Sequence, residues 1–123
     1  MPQNRLEKTA SRNGTTAETA SARRAKVLVH GVPAGILEEH TDGFWLFRYF
    51  PDYTGPSVSL TIPADKSVHR FDRFPPFFEG LLPEGEMLEG LLRQHKIDRN
   101  DLFSQLMAVG QEMVGAVTVE EAN

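Results

Sequence analysis

The chain has 123 residues, 40% hydrophobic and without cysteine, which suits one domain with a small core and excludes disulfides and thiolate chemistry. Its formal charge of −4 is uneven: residues 1–24 hold five basic and two acidic side chains, the rest eight and fifteen, and an acidic body favours a basic protein surface over direct nucleic-acid contact. No apolar run approaches the ~20 residues of a membrane span, and the N-terminus lacks the apolar core of a signal peptide, so the expected setting is cytoplasmic, with no membrane partner.

Residues 1–24 are small and polar, a composition too poor in apolar surface to offset its ordering entropy. They read as a disordered arm ending in the solvated pair Arg23-Arg24, with one domain over 25–120. Lys26-Val-Leu-Val-His30 reads as a strand by its β-branched residues. Gly31-Val-Pro-Ala-Gly35 is the expected turn and residues 35–39 the returning strand. After the turn signal Thr41-Asp-Gly43 comes Phe44-Trp-Leu-Phe-Arg-Tyr-Phe50. It is aromatic on both faces and is expected to be a central strand covered on two sides. Pro51 to Pro56 forms an irregular loop, and Ser57-Val-Ser-Leu-Thr-Ile62 alternates like a half-buried strand. A four-stranded antiparallel meander is therefore expected by residue 62.

Residues 63–73 are polar and extended. Phe74-Pro-Pro-Phe-Phe-Glu-Gly-Leu-Leu-Pro-Glu-Gly85 then mixes apolar bulk with breakers. Pro75 and Pro76 can open a helix, and Pro83 ends it. Residues 84–96 carry Met87, Leu88, Leu91 and Leu92 on one helical face, acids in the first turn and an i,i+4 pair Glu89/Arg93. Asp98 is a candidate cap for a third helix with the stripe Leu102, Phe103, Leu106 and Met107, ended by Gly110. Residues 113–119 read as a closing strand. The expected class is α+β: a small antiparallel sheet or barrel-like meander, three short helices and a returning C-terminal strand.

Chemistry is sparse. Gly80-Leu-Leu-Pro-Glu-Gly85 has phosphate-loop glycine spacing, but Glu86 and Met87 stand where Lys and Ser or Thr are needed. The four histidines have no ligand-like spacing and no nucleophile is nominated, so no catalytic residue, metal site or cofactor is assigned. Aromatic surplus is the stronger signal. Trp45, Tyr49, Tyr53, Phe71 and Phe74, with Arg70 and Arg73 beside them, are the candidate partner-binding residues, since aromatic and Arg anchors are favoured at interfaces.

The order of the segments carries a resemblance. Val27-Leu-Val-His-Gly-Val-Pro-Ala-Gly-Ile-Leu-Glu38, Phe47-Arg-Tyr-Phe-Pro-Asp-Tyr53, Ser57-Val-Ser-Leu-Thr-Ile-Pro63, Phe77-Phe-Glu-Gly-Leu-Leu-Pro-Glu-Gly85 and Val114-Gly-Ala-Val117 follow one another. Together they resemble the N-terminal subdomain of HipA-type serine/threonine kinases, toxins of bacterial toxin–antitoxin systems. The likeness runs over residues 26–119; Gly110-Gln-Glu-Met113 departs from the Gly-Asp-Cys usual in the kinases. Those kinases continue into a catalytic domain past the Val-Gly-Ala-Val segment, whereas this sequence stops at Asn123. The resemblance thus implies a free-standing, HipS-like antitoxin, non-catalytic, that binds and inhibits a separate HipA/HipT-type kinase. It implies an indirect link, through that kinase, to a helix-turn-helix HipB-type DNA-binding protein. The alternative is an isolated structural subdomain of a HipA-type kinase; Met1, the polar arm and the Glu120-Glu-Ala-Asn123 ending favour a complete small product.

Overall fold

The β1–β2 hairpin organises the sheet, and a two-residue turn sets its register. In the computed structural model, which describes residues 21–113 and 115–122, His30 and Gly31 have φ of 51° and 79°. Two consecutive positive values make the turn whose twist matches the flanking strands, and glycine adopts the second without strain. The turn is therefore tighter than the expected five-residue loop, and Val29 pairs directly with Val32. The strands are β1 (Ser21–Val29), β2 (Val32–His40), β3 (Trp45–Tyr49), β4 (Val68–Phe71) and β5 (Val117–Glu121). Helices α1 (Pro76–Glu79), α2 (Gly85–His95) and α3 (Leu102–Val109) intervene between β4 and β5. Residues 1–20 of the expected arm lie outside the described residues; residues 21–24, assigned to it from composition, open β1 instead.

All pairings among the described residues are antiparallel, in the order β4-β3-β2-β1-β5. The sheet is open, not a closed barrel. Register sorts its residues cleanly: Ala25, Leu37, Phe47 and His69 align across four strands, and Lys26, Ile36, Arg48 and Val68 form the next row. Side chains alternate faces along each strand, so the first row turns inward and the second outward. Phe47 is fully buried while Arg48 is exposed. β3 is therefore covered on one side, contrary to the expectation drawn from its aromatics.

Residues 57–62 are a turn rather than a strand. Only a Ser59–Ile62 bridge forms, with the Ile62 amide donating to the Ser59 carbonyl at 3.0 Å. Ser59 Oγ accepts from the Thr61 amide at 3.1 Å, a local bond that competes with strand pairing. The place of the missing strand is taken by β4, from the stretch that read as polar and extended. Its side chains at the sheet edge need no alternating apolar signal, because Arg70 faces solvent and His69 is satisfied locally. The His69 Nε2 lies 2.9 Å from the carbonyls of both Pro63 and Lys66.

The inner face carries the core. Trp45 meets Phe74 edge-on at 5.0 Å and stacks with Phe103 at 5.9 Å; Phe47 contacts Tyr49 and Phe78. α1 is a single turn opened by Pro76 and followed by Gly80, and it exists to bury Phe78. Each such aromatic stabilises the fold by about 1.5–3 kcal/mol through burial. α3 buries Phe103 and Leu106 against the sheet. Its cap is Asp101, not Asp98: Asp101 accepts from the Ser104 amide at 3.1 Å, while Asp98 accepts from Asn100. Gly110 follows α3 with right-handed geometry, so it is not a left-handed terminator. It is glycine because an added Cβ would strike the Val119 carbonyl of β5. That strand starts at Val117, later than expected, and Val114 lies outside the described residues.

Candidate docking surfaces

The seven residues nominated from sequence do not form one surface. Trp45, Tyr49 and Phe74 are 8%, 5% and 6% exposed and belong to the core. Phe71 pairs with Trp45 across the sheet and is half-buried. Tyr53, also half-buried, stacks on Tyr49 at 5.9 Å and donates its hydroxyl to the Pro56 carbonyl at 2.6 Å. Only Arg70 and Arg73 are exposed, and each has a local carboxylate, Asp72 and Glu79 respectively. Surplus aromatics are used internally because the helices supply a lid for the inner face.

Tyr49 shows how that use extends beyond packing. Its hydroxyl donates to the Ile62 carbonyl and accepts from the Val58 amide, and burial pushes its pKa upward. One phenol thus ties both ends of the 57–62 turn to the sheet. Val58 and Ile62 are buried, and Leu60 between them is 99% exposed.

Arg23, expected at a solvated chain end, is the hub of a polar brace. Its guanidinium donates to Glu39 at 2.7 and 2.9 Å, to Asp101 at 3.0 Å and to Ser104 at 3.2 Å. It also lies 4.8 Å over the Phe103 ring. The Glu39 hydrogen bonds raise the Arg23 pKa. Burial pushes the Asp101 carboxyl upward, but hydrogen bonds from Ser104 and Arg23 outweigh it and hold that carboxyl below its usual value. The brace joins β1, β2 and the start of α3. Sequence gave no sign of it, because its members are far apart along the chain.

The outer sheet face mixes aliphatic side chains such as Leu46 and Val68 with a network of charges. Glu38 lies 3.7 Å from Arg24, 3.6 Å from Arg48 and 3.2 Å from His40, while Lys26 meets Glu120 at 3.3 Å. Arg70 sits 3.9 Å over Phe44, which itself stacks on His40. These charges largely answer one another.

α2 differs. It buries Leu92, leaves Leu88 and Leu91 half-covered and holds Met87 76% exposed. Glu89 is not paired with Arg93 as expected from their spacing; Arg99 holds it through two hydrogen bonds of 2.7 Å, which lower the Glu89 pKa. Beside α2 runs a groove of about 630 Å³ lined chiefly by Leu81, Met87, Gly90, Leu91, Val109 and Met113. Its signal was present in the sequence: the apolar stripe is too wide for one buried row, with Met87 and Leu91 forming a second row beside Leu88 and Leu92.

No group of three or more metal-ligating side chains occurs among the described residues. None of their helices is long and apolar enough to cross a membrane. Fold and surface together define a small α+β domain whose polar clusters brace the structure and whose uncovered surface is apolar along one helix. The chain belongs to the HipA N-terminal domain family, whose model matches residues 25–120. A solved N-terminal domain of HipA toxin superposes with a TM-score of 0.67 at 31% identity, covering 86% of this chain and 98% of that one. An uncharacterized protein of Haemophilus influenzae is 37% identical over 99 residues, 80% of this chain and 92% of its own length. The putative kinase Y4dM of Sinorhizobium fredii is 31% identical over 76% of this chain, which spans only 25% of that protein.

Proposed function

We propose that the chain is a non-catalytic, HipS-like regulatory protein of a cytoplasmic toxin–antitoxin system, which docks on a separate HipA/HipT-type serine/threonine kinase and restrains it. The observation that carries this reading is the pair of relatives just described. The same domain makes up a quarter of a putative kinase and almost the whole of a small Haemophilus protein. A domain that accompanies a kinase in one chain is suited to meet it across two. The family match falls on the N-terminal domain, and the sequence offers no nucleotide loop of its own.

Docking falls to surface that the fold leaves open. Trp45→Ala and Phe74→Ala would remove core and test folding rather than contact. The decisive experiment is coexpression with a HipA-type kinase encoded beside the gene. The two proteins are expected to copurify, and growth arrest by the kinase to be suppressed. A kinase whose toxicity is unchanged and which does not copurify overturns the reading.

A further inference from the structure

We propose that the groove along α2 receives a cationic amphipathic helix from a partner chain. This rests on the reading of the domain as a docking module and names what it grips. Met87, Gly90, Leu91 and Gln94 stand at i, i+3, i+4 and i+7 on α2 and form one wall. Gly80, Leu81 and Pro83, together with Val109 and Met113, contribute to the rest of the lining.

Charge selects the occupant. Exposed Glu86 and Glu112 line the groove, and among the described residues no cationic side chain lines it and neither carboxylate has an ion pair. Glu89, by contrast, is already occupied by Arg99. An apolar floor with uncompensated acids fits apolar anchors flanked by Lys or Arg. Met87 and Met113 supply adaptable side chains of the kind that accept a helix face.

Gly90 adds an independent sign. A Cβ built there meets nothing within 4 Å, so nothing among the described residues requires glycine. A mid-helix glycine is nevertheless unfavourable relative to alanine. Its use is external: a bare backbone lets another helix approach more closely than the usual separation of about 8–10 Å. A strand is the poorer occupant, because the lining offers no sheet edge to pair with and the edges β4 and β5 contribute nothing to it. The 11 residues of α2 offer a bed of about 16 Å.

The test titrates the full chain, labelled at its methionine methyl groups, with a synthetic amphipathic helix carrying Leu on one face and Lys on the other. Met87 and Met113 resonances are expected to move most, and Met107, which lines not the groove but the adjoining cleft beside β5, to move least. A peptide with Glu for Lys is expected to bind at least about tenfold more weakly, as is the Lys peptide with Gly90→Leu. Gly90→Ala, which suits the helix, serves if the larger variant fails to fold. Equal movement of Met107, indifference to peptide charge, or unaltered binding to a folded Gly90 variant overturns the inference. In coexpression, a Gly90→Leu protein that folds and restrains the kinase as well as wild type sinks the groove but not the proposed function. A wild-type protein that fails to copurify with the kinase, yet shows the peptide shifts, sinks the function alone.

Discussion

β3 and α2 each carry an apolar stripe, and the two stripes meet opposite fates. β3 carries Trp45, Phe47 and Tyr49, and all three are covered by α1, α3 and the 57–62 turn. α2 carries a milder stripe of Met and Leu, yet its Met87 stands in solvent. What separates them is position in the layer order. β3 is an interior strand of a one-sided sheet and faces the helices; α2 packs on α3, and among the described residues no further layer covers its outer side. Apolar content alone therefore does not say which stripe ends up exposed; the number of layers above each element does.

Three measurements can break or sharpen that contrast. Phe47→Ala removes a fully buried ring from the middle of β3 and should destabilise by about 3–5 kcal/mol in chemical denaturation. An unshifted midpoint would mean that β3 is not the covered side. Tyr49→Phe leaves the ring in place but strips the hydroxyl from the Ile62 carbonyl and Val58 amide. The expected loss is about 1–3 kcal/mol, with faster hydrogen exchange of the Val58 amide; unchanged exchange would detach the turn from β3. Smallest is Asp101→Ala, which uncaps α3 and should lower stability by about 1 kcal/mol at neutral pH. Asp101 binds protons less readily folded than unfolded, so its contribution is complete above the usual Asp value near about pH 4. It fades as pH falls through the lower folded value, and the gap between wild type and Asp101→Ala should narrow in acid. A gap that widens there would place the stabilising charge elsewhere in the brace.

Much of the fold was legible before the structure. The hairpin, the aromatic strand, the three helices and the closing strand all occur in the expected order, because each has a local signature in β-branching, capping or helical spacing. The misreadings arise where local side-chain bonds or distant partners override the pattern. Alternation over 57–62 was real, and Val58 and Ile62 do point inward, but Ser59 and Thr61 satisfy that backbone locally. β4 was missed because an edge strand with Arg70 on its open face needs little apolar pattern. The two aromatic faces of residues 44–50 resolved into one buried row, since register rather than composition decides orientation. The candidate site was legible only as residue types: Arg70 and Arg73 are exposed, Trp45, Tyr49 and Phe74 are not. Met87 and Leu91 were visible on the helix, but whether a neighbour covers them is a property of the tertiary arrangement.

The pairing of β1 with β5 has a consequence in time. The first strand of the sheet is made early and its neighbour Val117–Glu121 last, so Val27 waits for Val119 until the rest of the domain has been synthesised. Until then the meander of β1 to β4 presents β1 as a raw edge, open to pairing with other chains. Closure by β5 also seats Gly110 against Val119, whose amide donates to the Gly110 carbonyl at 3.0 Å. The final strand thus shuts the sheet and pins the end of α3 in one event. A ribosome stalled just before Val117 would hold a nearly finished domain with the β1 edge unpaired.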